Sequence, residues 1–207
     1  MYDLTVLSAN FLDDFCPFSS YSTLFSNGRA YNNHTVKGGI SMANQQLTPA
    51  NTFQYLLMNH MPAAMAWVRG GEAFPKISGL VKFYSTPYQG VLISAEIFNL
   101  PDISVPDSSD FYGMHIHEFG DCTNLFQNTG EHYNPAHMPH PDHAGDLLPL
   151  LGNQGYAWTA FYDKRFTVDE IIGRSVVIHQ HADNFTSQPS GDSGNKIACG
   201  VIRKTEG

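Results

Sequence analysis

Short stretches of alternating hydrophobic and polar residues dominate the chain from residue 64 onwards. Val91, Ile93, Ala95 and Ile97 are separated by single residues, which is the spacing of a strand with one buried face. Turn residues separate seven such stretches, and these predict β-strands at residues 64–69, 77–85, 90–99, 113–118, 155–162, 175–179 and 196–203. Short strands at this spacing indicate an all-β sandwich or barrel.

The segments between these strands are predicted to be mostly irregular. Four prolines fall within residues 132–151, and each proline fixes φ and removes a hydrogen-bond donor, so a long loop is expected there. Residues 167–173 begin with Thr and Glu at capping-box spacing and end in glycine, which predicts one short helical turn. A short helix is also expected at residues 52–59.

Residues 1–50 differ from the rest of the chain, being rich in Asn, Ser, Thr and Tyr without a sustained hydrophobic period. We therefore expect a poorly ordered extension at residues 1–50 and one folded domain at residues 51–207. A further hypothesis is that translation starts at Met42, because the codons just upstream of it can form a bacterial ribosome-binding sequence. Residues 1–41 would then be a gene-model artefact.

Composition excludes several classes of function. With 42% hydrophobic residues, 207 residues suffice for one core. Eleven Lys and Arg against 19 Asp and Glu give a net charge of −8, which argues against nucleic acid or an anionic membrane as a partner. No apolar run has the length of a membrane helix, and residues 1–20 lack the features of an export signal. An intracellular location is expected, with a periplasmic or extracellular one as the alternative.

Histidines are concentrated in the second half of the chain. His115 and His117 alternate on a predicted strand, so both imidazoles project from one face while Met114 and Ile116 point into the core. His179 ends another predicted strand. Three imidazoles without a sulfur ligand suit copper.

A second set of candidate ligands lies in the predicted proline-rich loop. His132, His140, His143 and Asp146 offer three nitrogens and one oxygen, a tetrahedral set that suits a structural zinc ion. If both metals are bound, either one histidine is shared between them or one site is a ligand short.

The three cysteines, Cys16, Cys122 and Cys199, are too few and too scattered for a thiolate zinc site. Two buried free thiols would be the ordinary interpretation of Cys122 and Cys199 from their positions alone. If translation starts at Met42, Cys16 is absent from the protein.

Five motifs, in order along the chain, resemble the signatures of the copper/zinc superoxide dismutase family. They are GMHIHEFGD (113–121), EHYNP (131–135), HAGDL (143–147), GRSVVIH (173–179) and ACGVI (198–202). The resemblance covers residues 64–203, and five ordered motifs are far more specific than any single one. It implies an eight-stranded antiparallel Greek-key β-barrel with long metal-binding loops.

The resemblance also implies roles for individual residues. Copper would be held by His115, His117, His132 and His179, and zinc by His132, His140, His143 and Asp146. His132 would then bridge the two metals. Asp183 matches the carboxylate that links a copper histidine to a zinc histidine, and Cys122 and Cys199 match the family's intrasubunit disulfide.

One position departs from the family pattern. Lys196 stands where an arginine usually draws superoxide towards copper, three residues before the final cysteine. Lysine supplies the same charge without the planar fork that can hold an anion by two hydrogen bonds, so slower turnover is expected. Residues 184–195 are short and contain no Lys or Arg, which is more similar to the bacterial branch of the family.

The expected function is therefore superoxide dismutation with copper and zinc as cofactors and the superoxide anion as substrate. The main alternative is a non-catalytic copper-binding or copper-delivery protein on the same fold, whose signature would be a lost copper histidine. A zinc-only protein would leave His115 and His117 unexplained. Dimer surfaces differ between branches of the family, so a homodimer stays open.

Overall fold

The computed structural model describes residues 48–102, 104 and 109–206. These residues belong to one compact unit, Gln46–Gly207. The expected N-terminal extension, up to residue 47, and the hypothesis of an artefact at residues 1–41 lie outside the described residues.

Nine strands and two α-helices form in the described part of the chain. The helices are α1 (Pro49–Asn59) and α2 (Val168–Ile171). The strands are β1 (Ala64–Gly70), β2 (Ser78–Ser85), β3 (Val91–Phe98), β4 (Phe111–Tyr112), β5 (Met114–His117), β6 (Leu150–Leu151), β7 (Tyr156–Asp163), β8 (Ser175–His179) and β9 (Lys196–Lys204). All seven predicted strands form, and each begins and ends within one residue of its prediction.

Seven of these strands make one curled antiparallel sheet, in the order β5-β8-β9-β1-β2-β3-β7, which forms a half-barrel. The neighbours β3 and β7, and likewise β5 and β8, are far apart in sequence, so long connections join them as in a Greek key. The predicted all-β antiparallel fold is confirmed. The main sheet holds seven strands instead of the expected eight, because β4 and β6 pair only with each other.

The core fills the concave side of the sheet. On β3 the predicted inward residues Val91, Ile93, Ala95 and Ile97 are all at most 1% exposed. On β5 the residues that alternate with the histidines, Met114 and Ile116, are fully buried in the same core. The alternation that predicted the strands therefore also separates the packing face of β5 from its histidine face.

Helix α1 begins three residues before its prediction because Thr48 caps it. The Thr48 hydroxyl accepts a hydrogen bond from Asn51 N, and Pro49 occupies the first turn. No residue of α1 is buried, but Phe53 stacks on Tyr162 of β7 at 4.9 Å between ring centroids. The helix thus lies against the outside of the sheet.

The second helix, α2, is the single turn that the capping pattern predicts. The Glu170 carboxylate accepts a hydrogen bond from Thr167 N at 2.6 Å. Among the residues described, no helix has the length and apolar character that crossing a membrane requires.

We expect Ile116→Ala to lower the free energy of unfolding of the metal-free protein by about 2–5 kcal/mol. Ile116 is fully buried between the two histidines of β5, so truncation leaves a cavity behind the metal-binding face. Urea denaturation measures the effect, with Leu151→Ala as the control because Leu151 is 49% exposed. Equal losses in the two variants would contradict this account of the core.

Candidate metal centre

The outward face of two neighbouring strands carries three of the histidines. His115 and His117 of β5 lie opposite Val177 and Ser175 of β8, and His179 ends that strand. The rings of His117 and His179 are stacked, and their Nε2 atoms are 3.2 Å apart. The two strands therefore hold three imidazoles together, as the alternation predicts.

The proline-rich loop brings the other ligands to the same place by pairing with the edge of β5. Ile116 N donates to Gly145 O at 2.9 Å, and Tyr133 N donates to Ile116 O at 2.8 Å. A Cβ atom at Gly145 would clash with the carbonyl oxygen of Ile116, so only glycine permits this approach. The neighbours of these loop residues, His132 and Asp146, are thereby placed opposite the histidines of β5.

Two groups of donors result, and they share one residue. The first is His115, His117, His132 and His179, and the second is His132, His140, His143 and Asp146. Within each group one donor atom from every residue lies within 4.8 Å of the others, and all seven residues are buried. Of the alternatives left open by the spacing, the structure supports the shared histidine, His132.

Unpaired nitrogen atoms test whether the groups fit metal ions. Four buried ring nitrogens have no hydrogen-bond partner among the described residues: His115 Nδ1, His132 Nε2, His140 Nδ1 and His143 Nδ1. Buried polar atoms without a partner are costly and rare in folded proteins, whereas two metal ions, one in each group, would satisfy all four. Both groups therefore fit metal ions.

The geometry around Asp146 gives the same result. His140 Nδ1 and His143 Nδ1 lie 3.0 and 3.3 Å from Asp146 Oδ2, yet neither is aligned for a hydrogen bond to it. His132 Nδ1 is 2.7 Å from Asp146 Oδ1. The His140 and His143 nitrogens, which lie close to Asp146 without hydrogen-bond alignment, are directed with its carboxylate towards a common point, as in a tetrahedral metal site.

Asp183 connects the two groups. Its Oδ2 is 2.8 Å from His115 Nε2 and its Oδ1 is 2.9 Å from His140 Nε2. Burial alone would raise the pKa of the Asp183 carboxyl, but hydrogen bonds from His115, Phe185 N and His140 lower it overall. An ionised Asp183 accepts the N–H of each ring and so leaves the opposite nitrogen free for a metal ion.

The imidazoles of His115, His117 and His179 are held in the neutral form that binds metals. Burial lowers the pKa of His115 to about 4, even though its hydrogen bond to Asp183 acts in the opposite direction. Burial likewise places the pKa values of His117 and His179 well below the ordinary value. Because protons then do not compete for the nitrogens of these three rings at neutral pH, the three residues are prepared for a metal ion.

Arg165 supports the second group of ligands, a role that was not predicted from the sequence. Its guanidinium pairs with the carboxylate of Asp163 at 2.6 Å and donates to the carbonyl oxygens of His143, at 2.9 Å, and of Asp146. The backbone that carries two of the ligands is thereby fixed to the end of β7. An arginine after a strand is too common in sequences to have signalled this role.

A disulfide joins Cys122 and Cys199, which are 77 positions apart. It connects the loop after β5 to the middle of β9. The pairing that the resemblance implied is confirmed, and the interpretation as two free thiols is wrong because the Cα atoms are only 5.8 Å apart.

Lys196 begins β9 beside His179, its partner in the strand register. Its ammonium donates to Thr129 Oγ1 at 2.9 Å and to Gly130 O at 3.0 Å, and Gly130 O is also 2.9 Å from His117 Nδ1. Burial lowers the pKa of the Lys196 ammonium. The carbonyl oxygen of Gly130 thus contacts both the ammonium of Lys196 and the ring of His117, so a cation lies close to the first group of histidines.

Comparison with known proteins agrees with this geometry. The family model described as copper/zinc superoxide dismutase (SODC) matches residues 77–202. A superoxide dismutase [Cu-Zn] of Schizosaccharomyces pombe is 36% identical over 158 residues, covering 69% of this chain and 97% of the relative. The chain therefore belongs to the copper/zinc superoxide dismutase family. Copper and zinc are the cofactors that the two histidine groups match.

Other relatives are longer or carry different names. An extracellular superoxide dismutase [Cu-Zn] of Rattus norvegicus is 32% identical over 137 residues, covering 62% of this chain and 55% of the relative. A copper chaperone for superoxide dismutase of Sus scrofa is 30% identical over 161 residues, covering 72% and 55%. The chain thus spans about half the length of these two relatives.

A solved structure shows the same fold. The crystal structure of the clock protein EA4 superposes with a TM-score of 0.59 at 30% sequence identity. The alignment covers 70% of this chain and 96% of that protein.

We expect Arg165→Ala to weaken zinc binding by about 10–100-fold, because it releases the backbone that carries His143 and Asp146. Competition with a colorimetric chelator measures the affinity. Arg203→Ala is the matched control, since Arg203 is exposed on β9. A folded Arg165→Ala protein with unchanged zinc affinity would contradict the proposed support.

Proposed function

We propose that this protein is a superoxide dismutase that converts two superoxide anions and two protons into dioxygen and hydrogen peroxide. The observation that carries the proposal is the sharing of His132 between two buried donor groups. Its Nδ1 faces Asp146, whereas its Nε2 has no hydrogen-bond partner among the described residues and belongs with the histidines of β5 and β8. A single zinc or copper site would not need this arrangement.

We assign His115, His117, His132 and His179 to copper and His132, His140, His143 and Asp146 to zinc. Three or four imidazoles suit copper, and three nitrogens with one carboxylate suit a closed zinc site. Bound copper supplies the redox couple, alternating between Cu(II) and Cu(I), which zinc does not offer. The protein's own groups provide orientation, charge and a place for a proton.

His132 is placed to handle the proton. The Nε2 atom of its ring is buried and has no hydrogen-bond partner among the described residues, so it would be available within the site to a metal ion or to a proton. Asp183 accepts hydrogen bonds from the rings of His115 and His140 and thereby fixes the orientation of both rings. Peroxide formation consumes protons, and a ring nitrogen within the first group that has accepted a proton could deliver it there.

Lys196 supplies the positive charge that attracts the substrate. The protein as a whole carries a net charge of −8, so the attraction of an anion has to be local. The Lys196 ammonium is half-buried, where water screens its field less than at the surface. Electrostatic steering of an anion is a known property of superoxide dismutases.

The alternative is a non-catalytic copper-binding or copper-delivery protein. The chaperone among the relatives favours this function, since it is 30% identical to this chain over 161 residues, or 72% of the chain. Retention of all four proposed copper histidines, each buried within one group, favours catalysis. The activity of the reconstituted protein decides between the two.

Three narrower proposals accompany the function. The short segment 184–195, which lacks Lys and Arg, supports the bacterial-type branch, although the relatives described above are eukaryotic. An intracellular location remains a prediction, and the Cys122–Cys199 disulfide is the feature that favours the periplasmic or extracellular alternative. A homodimer is proposed on the basis of the family, and sedimentation velocity tests it.

The decisive experiment is an assay of superoxide dismutation with protein reconstituted with copper and zinc and with metal content quantified. We expect rapid dismutation, its nearly complete loss in His115→Ala, and a roughly two- to tenfold rise in Lys196→Arg, because arginine can also hold the anion by two hydrogen bonds. His60→Ala is the control, since His60 is exposed and outside both groups. Full metal occupancy without activity would instead support the copper-binding function.

A further inference from the structure

We propose that Thr129 is a positioning residue that holds the ammonium of Lys196 beside the copper histidines, so that Lys196 acts on an anion chiefly through its charge. The inference rests on the proposed function, because it concerns how that site attracts its substrate. It follows from the hydrogen bonds of the Thr129 and Lys196 side chains. Both residues lie outside the five family motifs.

The hydroxyl group of Thr129 is fixed in direction. Thr129 is fully buried, and its Oγ1 donates to Phe126 O at 2.8 Å. With its hydrogen committed, the oxygen presents a lone pair, which accepts the hydrogen bond from Lys196 Nζ at 2.9 Å. Thr129 thus receives the ammonium in one defined orientation.

The ammonium of Lys196 has three hydrogens, and among the described residues it has three acceptors. Besides Thr129 Oγ1, it is 3.0 Å from Gly130 O and 3.5 Å from Phe126 O. Lysine has no further donor, whereas arginine has five. Lys196 therefore directs its hydrogens into the protein and acts on an incoming anion chiefly through its positive charge.

The anchor also determines where the charge lies. Gly130 O, which accepts from Lys196, is 2.9 Å from His117 Nδ1, and Thr129 Oγ1 is 3.4 Å from the same nitrogen. The dipeptide that holds the ammonium is therefore also in contact with a proposed copper ligand. The charge is kept next to the first group and away from bulk solvent.

A lysine needs such an anchor more than an arginine does. Its four-carbon stem is flexible, and the exposed carboxylate of Glu131 attracts the ammonium. Without the Thr129 hydroxyl, the ammonium loses its shortest hydrogen bond and can turn towards Glu131 or water. The positive potential at the copper histidines would then fall.

The test is azide binding to the copper- and zinc-loaded protein, followed by the visible absorption of Cu(II). We expect Thr129→Val to weaken azide binding roughly three- to tenfold, while Thr129→Ser, which keeps the acceptor oxygen, stays within about twofold of the original protein. Thr159→Val, on β7, controls for the loss of a hydroxyl group elsewhere. If Thr129→Val does not fold, Thr129→Ala takes its place with the same expected loss.

The double variant separates positioning of Lys196 from a general structural role. In a Lys196→Ala background, Thr129→Val should have no further effect on azide affinity, because the charge that Thr129 holds is absent. Unchanged affinity in Thr129→Val, an equal loss in Thr129→Ser, or an undiminished loss in the Lys196→Ala background would each overturn the inference. Azide binding needs no turnover, so an inactive protein that shows the expected pattern would refute the dismutase proposal alone.

Discussion

The free edge of the sheet is the constraint on which the metal centre depends. Strand β5 is the last strand on one side, and Ile116 would leave backbone groups unpaired there if the loop did not pair with it. Hydrogen bonds from Ile116 N to Gly145 O and from Tyr133 N to Ile116 O close this edge. His132 and Asp146 are the chain neighbours of Tyr133 and Gly145, which make these bonds. The hydrogen bonds that satisfy the backbone therefore also place the ligands.

The same site places polar groups in the interior that the protein alone does not satisfy. Burial lowers the pKa values of the histidines on β5 and β8, and the four unpaired ring nitrogens have no partner among the described residues. Such atoms destabilise a folded chain until a metal ion binds them. The fold of the barrel and the affinity for metals are therefore coupled, and Asp183 extends the coupling from one group to the other.

Sequence patterns predicted the parts that depend on local periodicity. The seven strands were correct because alternation over four to nine residues is a strong signal, whereas β4 and β6, with two residues each, are too short to show one. The positions of His115 and His117 followed from the same alternation. The spacing of the ligands left two alternatives open, a shared histidine or one site that lacks a ligand. It could not decide between them because tertiary contacts set the path of a proline-rich loop. Arg165 and Thr129 were missed because their partners are distant in sequence or are backbone atoms.

Side-chain contacts replace secondary structure in holding the ligand loops. The Cys122–Cys199 bond fixes the loop after β5 to β9, Arg165 fixes the zinc-type segment to the end of β7, and Lys196 fixes the segment before His132 to the start of β9. Each contact joins irregular backbone to a regular strand, whose position the core determines. Lys196 serves in two ways, because the hydrogen bonds that restrain the loop also restrain the charge. In a protein with a net charge of −8, a single cation attracts an anion to one point only if it is held there.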